Sequence, residues 1–141
     1  MTFLVERLAD LRKHLDHLRD IRPRVRDATQ LATDLTLHND VLHSLLVVCQ
    51  TVIDVAGELA GRRGISFQDY TTAIRALRQV PGFSPELVRT LEPLAGFRNV
   101  LIHEYVQLDY ARVIAALDEL GPLEDFLRTA AAIEGAAPSG T

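Results

Sequence analysis

Leu4, Leu8, Leu11, Leu15 and Leu18 recur three and four residues apart, a spacing that lays them along one stripe of an amphipathic helix. Thr2 is a candidate N-cap for this first helix. Ile21 to Arg24 reads as the turn that ends it, because the residue before Pro23 is pushed out of helical geometry. The longest periodic stretch follows, from about Asp27 to Leu59, with Leu35, His38, Leu42, Leu45, Cys49, Val52, Ala56 and Leu59 along its seam. At about 1.5 Å per residue this helix would extend for about 50 Å, enough to serve as the spine of a bundle. Gly57, Gly61 and Gly64 predict that it then dissolves into a loop carrying Arg62 and Arg63.

Ser66-Phe67-Gln68-Asp69 fits a capping box, and Tyr70, Ile74 and Leu77 supply the apolar side of a short third helix that Pro81-Gly82 ends. Ser84-Pro85 starts a fourth, with serine as N-cap and proline at the first helical position, where its missing N–H costs nothing. Pro93 interrupts the apolar series Leu87, Leu91, Leu94 and Leu101, which predicts a kink or a restart. Asp109 can cap a fifth helix with Val113, Leu117, Leu120, Leu123, Leu127 and Ala130 on one face, bent but not ended by Gly121-Pro122. No strand alternation and no internal repeat competes with this pattern. It predicts an all-α, five-helix up-and-down bundle with one long spine helix, a single domain over residues 1–134, and a disordered tail over 135–141.

Composition narrows the function classes. The apolar share of 48% and charged share of 24% are those of a folded globular chain. A net charge of −4 excludes a surface that binds polyanions everywhere, so any nucleic-acid contact must be local. The lone Cys49 allows no internal disulfide, and no basic-then-apolar leader is visible. The run Leu45 to Cys49 is far shorter than the roughly 20 residues that span a bilayer. The expectation is a cytoplasmic protein with no membrane segment. Lys13 is the sole lysine among fifteen basic residues, which suggests GC-rich coding and a bacterial source.

The candidate chemistry lies in Phe97-Arg98-Asn99-Val100-Leu101-Ile102-His103-Glu104-Tyr105. Here a cation, an amide, an imidazole and a phenol interrupt an apolar run, and such groups are buried only with partners or kept for chemistry. On a helical wheel Asn99 and His103 share a face with Gly96, whereas Arg98 lies about 140° from His103. Either the arginine stem wraps around the helix or a second copy of the helix faces this one. The apolar girth of the segment favours the second, with a cleft on a two-fold axis.

The segment Arg98 to Tyr105 matches the Arg-x4-His-x-Tyr motif of HEPN-domain toxins, and the chain resembles their HepT-like branch. The resemblance extends to the entry Pro81-Gly82-Phe83-Ser84-Pro85-Glu86-Leu87, the approach Leu94-Ala95-Gly96-Phe97, Asp109, and Leu123-Glu124-Asp125-Phe126-Leu127. Pro93 departs from the pattern and puts in question the helix geometry just before the motif. What the resemblance implies is a homodimeric, metal-independent endoribonuclease without a cofactor, the toxin of a type VII toxin–antitoxin system. RNA, with tRNA among the candidates, is the implied substrate, and the implied partner is an MntA-type nucleotidyltransferase antitoxin that attaches adenylate to Tyr105. The alternative is a non-catalytic helical dimer that binds and regulates such a transferase.

The chemistry is consistent with those residue types. Cleavage by a ribose 2′-OH needs a base, an acid and a cation. His103, an imidazole with an ordinary pKa of about 6.5, can perform either proton transfer. Arg98 suits developing phosphorane charge, and Asn99 can orient the imidazole or bind phosphate. Elsewhere, His14 with His17 and His38 with His43 could each begin a metal site but read more simply as surface or seam residues, with no Cys or carboxylate completing a ligand set. Arg19, Arg22, Arg24 and Arg26 either guide RNA or form a solvated turn with Asp16, Asp20 and Asp27. Cys49 reads as a core residue, and Gly61-Arg62-Arg63-Gly64 as a loop.

Overall fold

Helix α1, Phe3–Ile21, buries Leu4, Leu8, Leu11, Leu15, Leu18 and Ile21, the predicted stripe with one added residue. The computed structural model describes residues 3–103 and 108–136, so the proposed Thr2 cap lies outside them. Each of these side chains lies against the core, where truncating a leucine to alanine costs about 2–5 kcal/mol. The helix packs along α3 and α8. Arg12 donates to both carboxylate oxygens of Glu124 at 2.8 and 2.7 Å, and Arg19 to the same carboxylate at 2.6 Å, fastening α1 to α8.

The second predicted helix is divided. Helix α2, Ala28–Thr33, is capped by Asp27, which accepts from Gln30 N, and the chain then leaves helical geometry at Asp34 (φ −85°, ψ 96°). Asp34 accepts from Leu37 N at 3.1 Å and starts α3, Leu35–Arg62. An aspartate that can bond the N–H three residues ahead offers the backbone a cap in place of helix continuation. The restart also sets Leu35 at the outer rim, 68% exposed, and brings Leu37 and Val41 into the core instead.

Helix α3 does not dissolve at its glycines but runs through Gly57 and Gly61 to Arg62. At Gly57 a Cβ would stand 3.2 Å from Cζ of Phe67, a tight approach to which that half-exposed ring would have to yield by a few tenths of an ångström. The left-handed residue is Gly64, with φ +70°. By length and hydropathy α3 could cross a membrane, but fifteen of its residues are buried by the surrounding helices, which makes it the predicted spine.

Helix α4, Tyr70–Arg75, is capped by Asp69, not by Ser66. Asp69 Oδ1 accepts from Thr72 N at 2.8 Å while Thr72 Oγ1 accepts from Asp69 N at 3.0 Å, a reciprocal capping box one turn later than expected. A 3₁₀ turn over Ala76–Gln79 and Gly82 (φ +107°) lead to α5, Pro85–Leu91, with Ser84 as its N-cap. Pro93 produces the anticipated restart, and α6, Leu94–Ile102, begins immediately after it.

Asp109 caps α7, Tyr110–Leu117, as expected. That helix ends at Asp118 and α8, Gly121–Ala136, starts anew, so Gly121-Pro122 mark a break and not a bend. Proline is tolerated in a first helical turn, where its missing N–H has no helical partner. The apolar phase survives because Leu120, Leu123, Phe126, Leu127 and Ala130 are all buried. The all-α bundle therefore stands, its five predicted units realised as eight α-helices among the described residues. Of the tail, the helix reaches Ala136, and residues 137–141 lie outside the described range.

Candidate active site

The short helix α6 packs against α3 and α4 through the buried Ala95, Phe97 and Leu101. With three of nine side chains committed to the core, Gly96 and Asn99 are exposed and Arg98 is half-buried. A Cβ at Gly96 would meet nothing within 4 Å, so the face it shares with Asn99 is open.

Arg98 turns toward α3. Its Nε donates to Oε1 of Gln50, and its guanidinium lies 4.9 Å from the ring centroid of Tyr70 on α4, a cation–π arrangement. Nη1 donates to Oδ1 of Asn99 at 3.1 Å. Gln50 in turn donates from Nε2 to Oδ1 of Asp54 at 2.8 Å. A continuous chain thus runs Asp54, Gln50, Arg98, Asn99, with the first two on α3 and the last two on α6.

His103 is exposed and forms the C-terminal cap of α6 (φ −100°, ψ 38°), its backbone N–H donating to Asn99 O at 3.0 Å. The imidazole therefore stands at the end of that helix, one residue past its last helical position. The side-chain oxygen of Asn99 accepts from Arg98. Tyr105 lies outside the described residues, as does Glu104.

Gln50, Asp54 and Tyr70 were missed in reading the sequence. The signal was present: an amide and a carboxylate four residues apart within the apolar run from Leu45 to Val55, on one helix face. The neighbouring Cys49 is buried, and desolvation pushes its thiol up to about 12 although the Arg98 charge opposes this. It is an unreactive core residue.

The remaining candidates resolve differently. His14 Nδ1 is 3.0 Å from Ser44 Oγ, His17 Nε2 is 2.7 Å from Asp40 Oδ1, and the His14 and His43 rings meet edge to face at 5.9 Å. These contacts join α1 to α3. Burial, then His43 and Lys13, lower the His14 pKa. The ring of buried His38 meets that of Tyr110 at 5.7 Å, tilted by 53°. Among the described residues no group of three or more His, Cys, Asp or Glu side chains could hold a metal ion. Of the arginine cluster, Arg19 is bound to Glu124, and Arg22 to Asp118 at 2.7 and 3.1 Å; Arg24 and Arg26 are exposed. An apolar cavity of about 350 Å³ behind α6 is walled by Cys49, Leu91, Leu94, Phe97 and Leu123, with no arginine or histidine in its lining.

Comparison with known proteins gives a consistent picture. A family model described as Ribonuclease HepT-like matches residues 11–130. The chain is similar to a protein of Shewanella oneidensis named mRNA nuclease HepT, 23% identical over 124 residues, which cover 87% of this chain and 90% of that one. Among solved structures, it superposes with a TM-score of 0.75 on the tri-AMPylated Shewanella oneidensis HEPN toxin in complex with its MNT antitoxin. That match is 22% identical and covers 96% of this chain and 99% of that one. It also superposes, at a TM-score of 0.76 and 21% identity, on a chain of a toxin–antitoxin crystal structure with AMP-PNP, covering 92% of this chain and 99% of that one. The last two similarities establish a shared fold.

Proposed function

This chain belongs to the ribonuclease HepT-like family, and on that premise we propose that Arg98, Asn99 and His103 form the active site of a metal-independent endoribonuclease toxin. The observation that carries the reading is the arrangement of α6: a guanidinium held by α3 and α4 at its middle, and an exposed imidazole at its end.

The reaction these groups can perform is internal transesterification of RNA. His103 removes the proton from a ribose 2′-OH as that oxygen attacks the adjacent phosphorus. The bond from phosphorus to O5′ breaks, and the leaving oxygen takes a proton from a second imidazole, the partner's His103. The products are a 2′,3′-cyclic phosphate and a free 5′-hydroxyl. Arg98 stabilises charge on the non-bridging oxygens, where one good donor contributes about 3–4 kcal/mol to the barrier. Asn99, with its oxygen engaged by Arg98, presents its amide N–H groups to the same phosphate.

The second imidazole requires a homodimer. The open face of α6, with Gly96, Asn99 and the 38% exposed Ile102, is the surface we assign to it, so that two copies of the site share one cleft. We further propose a cytoplasmic bacterial toxin whose partner is an MntA-type nucleotidyltransferase. The tyrosine acceptor would be Tyr105, whose phenolic oxygen attacks the α-phosphorus of ATP with release of pyrophosphate. The added adenylate would repel RNA from the cleft. The likeness to a tri-AMPylated toxin supports this reading.

Co-expression with such a transferase, followed by intact mass measurement, tests the pairing. Adenylate-sized increments should appear on the wild type and vanish from Tyr105→Phe. Unmodified wild-type protein would remove the pairing, and RNA left intact by the purified unmodified dimer would favour a binding module over a nuclease.

A further inference from the structure

Arg98 is the one charged group of the proposed site that reaches back into the bundle, and what it meets there is neutral. Its Nε bonds the amide oxygen of Gln50, and its flat face lies on the Tyr70 ring. Two of its nitrogens are thereby committed, Nε to Gln50 and Nη1 to Asn99, and Nη2 has no partner among the described residues.

The orientation of the Gln50 amide is decided by Asp54. A carboxylate can only accept, so the NH₂ end of Gln50 must face Oδ1 of Asp54 at 2.8 Å. The carbonyl end is then turned toward Arg98. The two residues stand one turn apart on α3, where Gln and Asp side chains meet naturally. A carboxylate at position 50 would hold Nε as well, but it would neutralise the guanidinium. Placing the amide between Asp54 and Arg98 fixes the cation and keeps its charge for a phosphate.

We propose that Gln50 is a positioning residue for Arg98, oriented by Asp54, and that Tyr70 covers the guanidinium so that its free edge faces the RNA phosphate. The inference rests on the assignment of Arg98 to the active site. A planar fork fixed in advance loses less side-chain entropy when phosphate binds, and misplacement of about 1 Å can cost about 10²-fold in rate.

The test is a cycle of RNA cleavage rates with the full-length dimer. Gln50→Met keeps the volume and removes the acceptor; its rate should fall about 10- to 100-fold. Arg98→Lys keeps the charge but has no Nε–H, so adding Gln50→Met to it should cost less than about twofold further, the signature of a residue acting through another. Gln50→Glu retains an acceptor for Arg98 but sets a carboxylate against Asp54, so it should melt somewhat lower while remaining folded at assay temperature, and it should cleave more slowly with a raised KM, because it cancels the cation. A purely structural Gln50 would leave Gln50→Glu active and make the two losses multiply in the double variant. Either result overturns the proposal, as does a Gln50→Met protein as active as wild type beside an impaired Arg98→Lys. If Arg98→Lys is itself fully active, the active-site assignment falls and takes this inference with it.

Discussion

Asn99 gives its side-chain oxygen to Arg98, one residue earlier, at 3.1 Å, while its backbone oxygen receives the N–H of His103 at 3.0 Å. One residue thus touches both, its side chain meeting the guanidinium and its backbone the main chain of His103. Only the first link depends on residue type. Asn99→Ala removes both the hold on Arg98 and the amide donor offered to phosphate, so it should lower cleavage by about 10²-fold and leave helix content and melting temperature close to wild type. Circular dichroism beside a cleavage assay checks both; a loss of activity that tracks a loss of folded protein would refute the role.

The open face at Gly96 distinguishes a lone chain from a dimer. No atom lies within 4 Å of a Cβ built there, so within one protomer a larger side chain is free of clashes and gains helix propensity of up to about 1 kcal/mol over glycine. If a second α6 packs on that face, Gly96→Leu should wedge the copies apart. The expected outcome is a monomer by light scattering with unchanged helicity and no cleavage. A Gly96→Leu protein that stays dimeric and active would place the interface elsewhere.

His14 gives the fold an acid-sensitive joint. Its folded-state pKa is depressed, first by burial and then by His43, with Lys13 and His17 in the same direction and Asp10 opposed. Ser44 meets its Nδ1, and Asp40 sits nearby on His17. A histidine whose pKa is lower folded than unfolded binds more protons unfolded, so stability is intact above the ordinary value of about 6.5 and declines as pH falls below it. Denaturant midpoints for wild type should decrease between about pH 7 and pH 5, and the slope should flatten in His14→Gln. An equal slope in both would contradict the assignment.

The Asp69 and Thr72 capping box is worth testing because it holds the helix that carries Tyr70. Asp69→Ala removes the acceptor for Thr72 N and should lower the melting temperature through loss of the helix cap. If α4 also holds Tyr70 over Arg98, cleavage should fall as well while the bulk of the fold persists.

Which helices would form, and which faces they would bury, was legible in the chain wherever apolar periodicity and caps agreed, as in the α1 leucines, Ser84-Pro85 and Asp109. Where it was not legible, a short-range competitor decided. Asp34 looked like a polar position on a continuous helix, yet its side chain bonds Leu37 N and starts a new one. Gly57 and Gly61 looked like terminators, but the helix runs through both, with Val55, Ala56, Leu59 and Ala60 buried around them. The motif residues announced themselves as polar groups in apolar sequence. Their holders did not, because Gln50 and Asp54 lie 48 and 44 positions before Arg98 in the chain, and only the packing of α6 on α3 brings them together.

The central claim is that His103 performs proton transfer in RNA cleavage without a metal ion. The most direct measurement is the rate at which the purified protein cleaves RNA in excess EDTA, compared with that of His103→Ala. The account predicts undiminished cleavage by the wild type and a loss of about 10²- to 10⁴-fold in the variant, the usual contribution of a positioned acid or base. Cleavage by His103→Ala at the wild-type rate, or abolition of wild-type cleavage by EDTA, would contradict it.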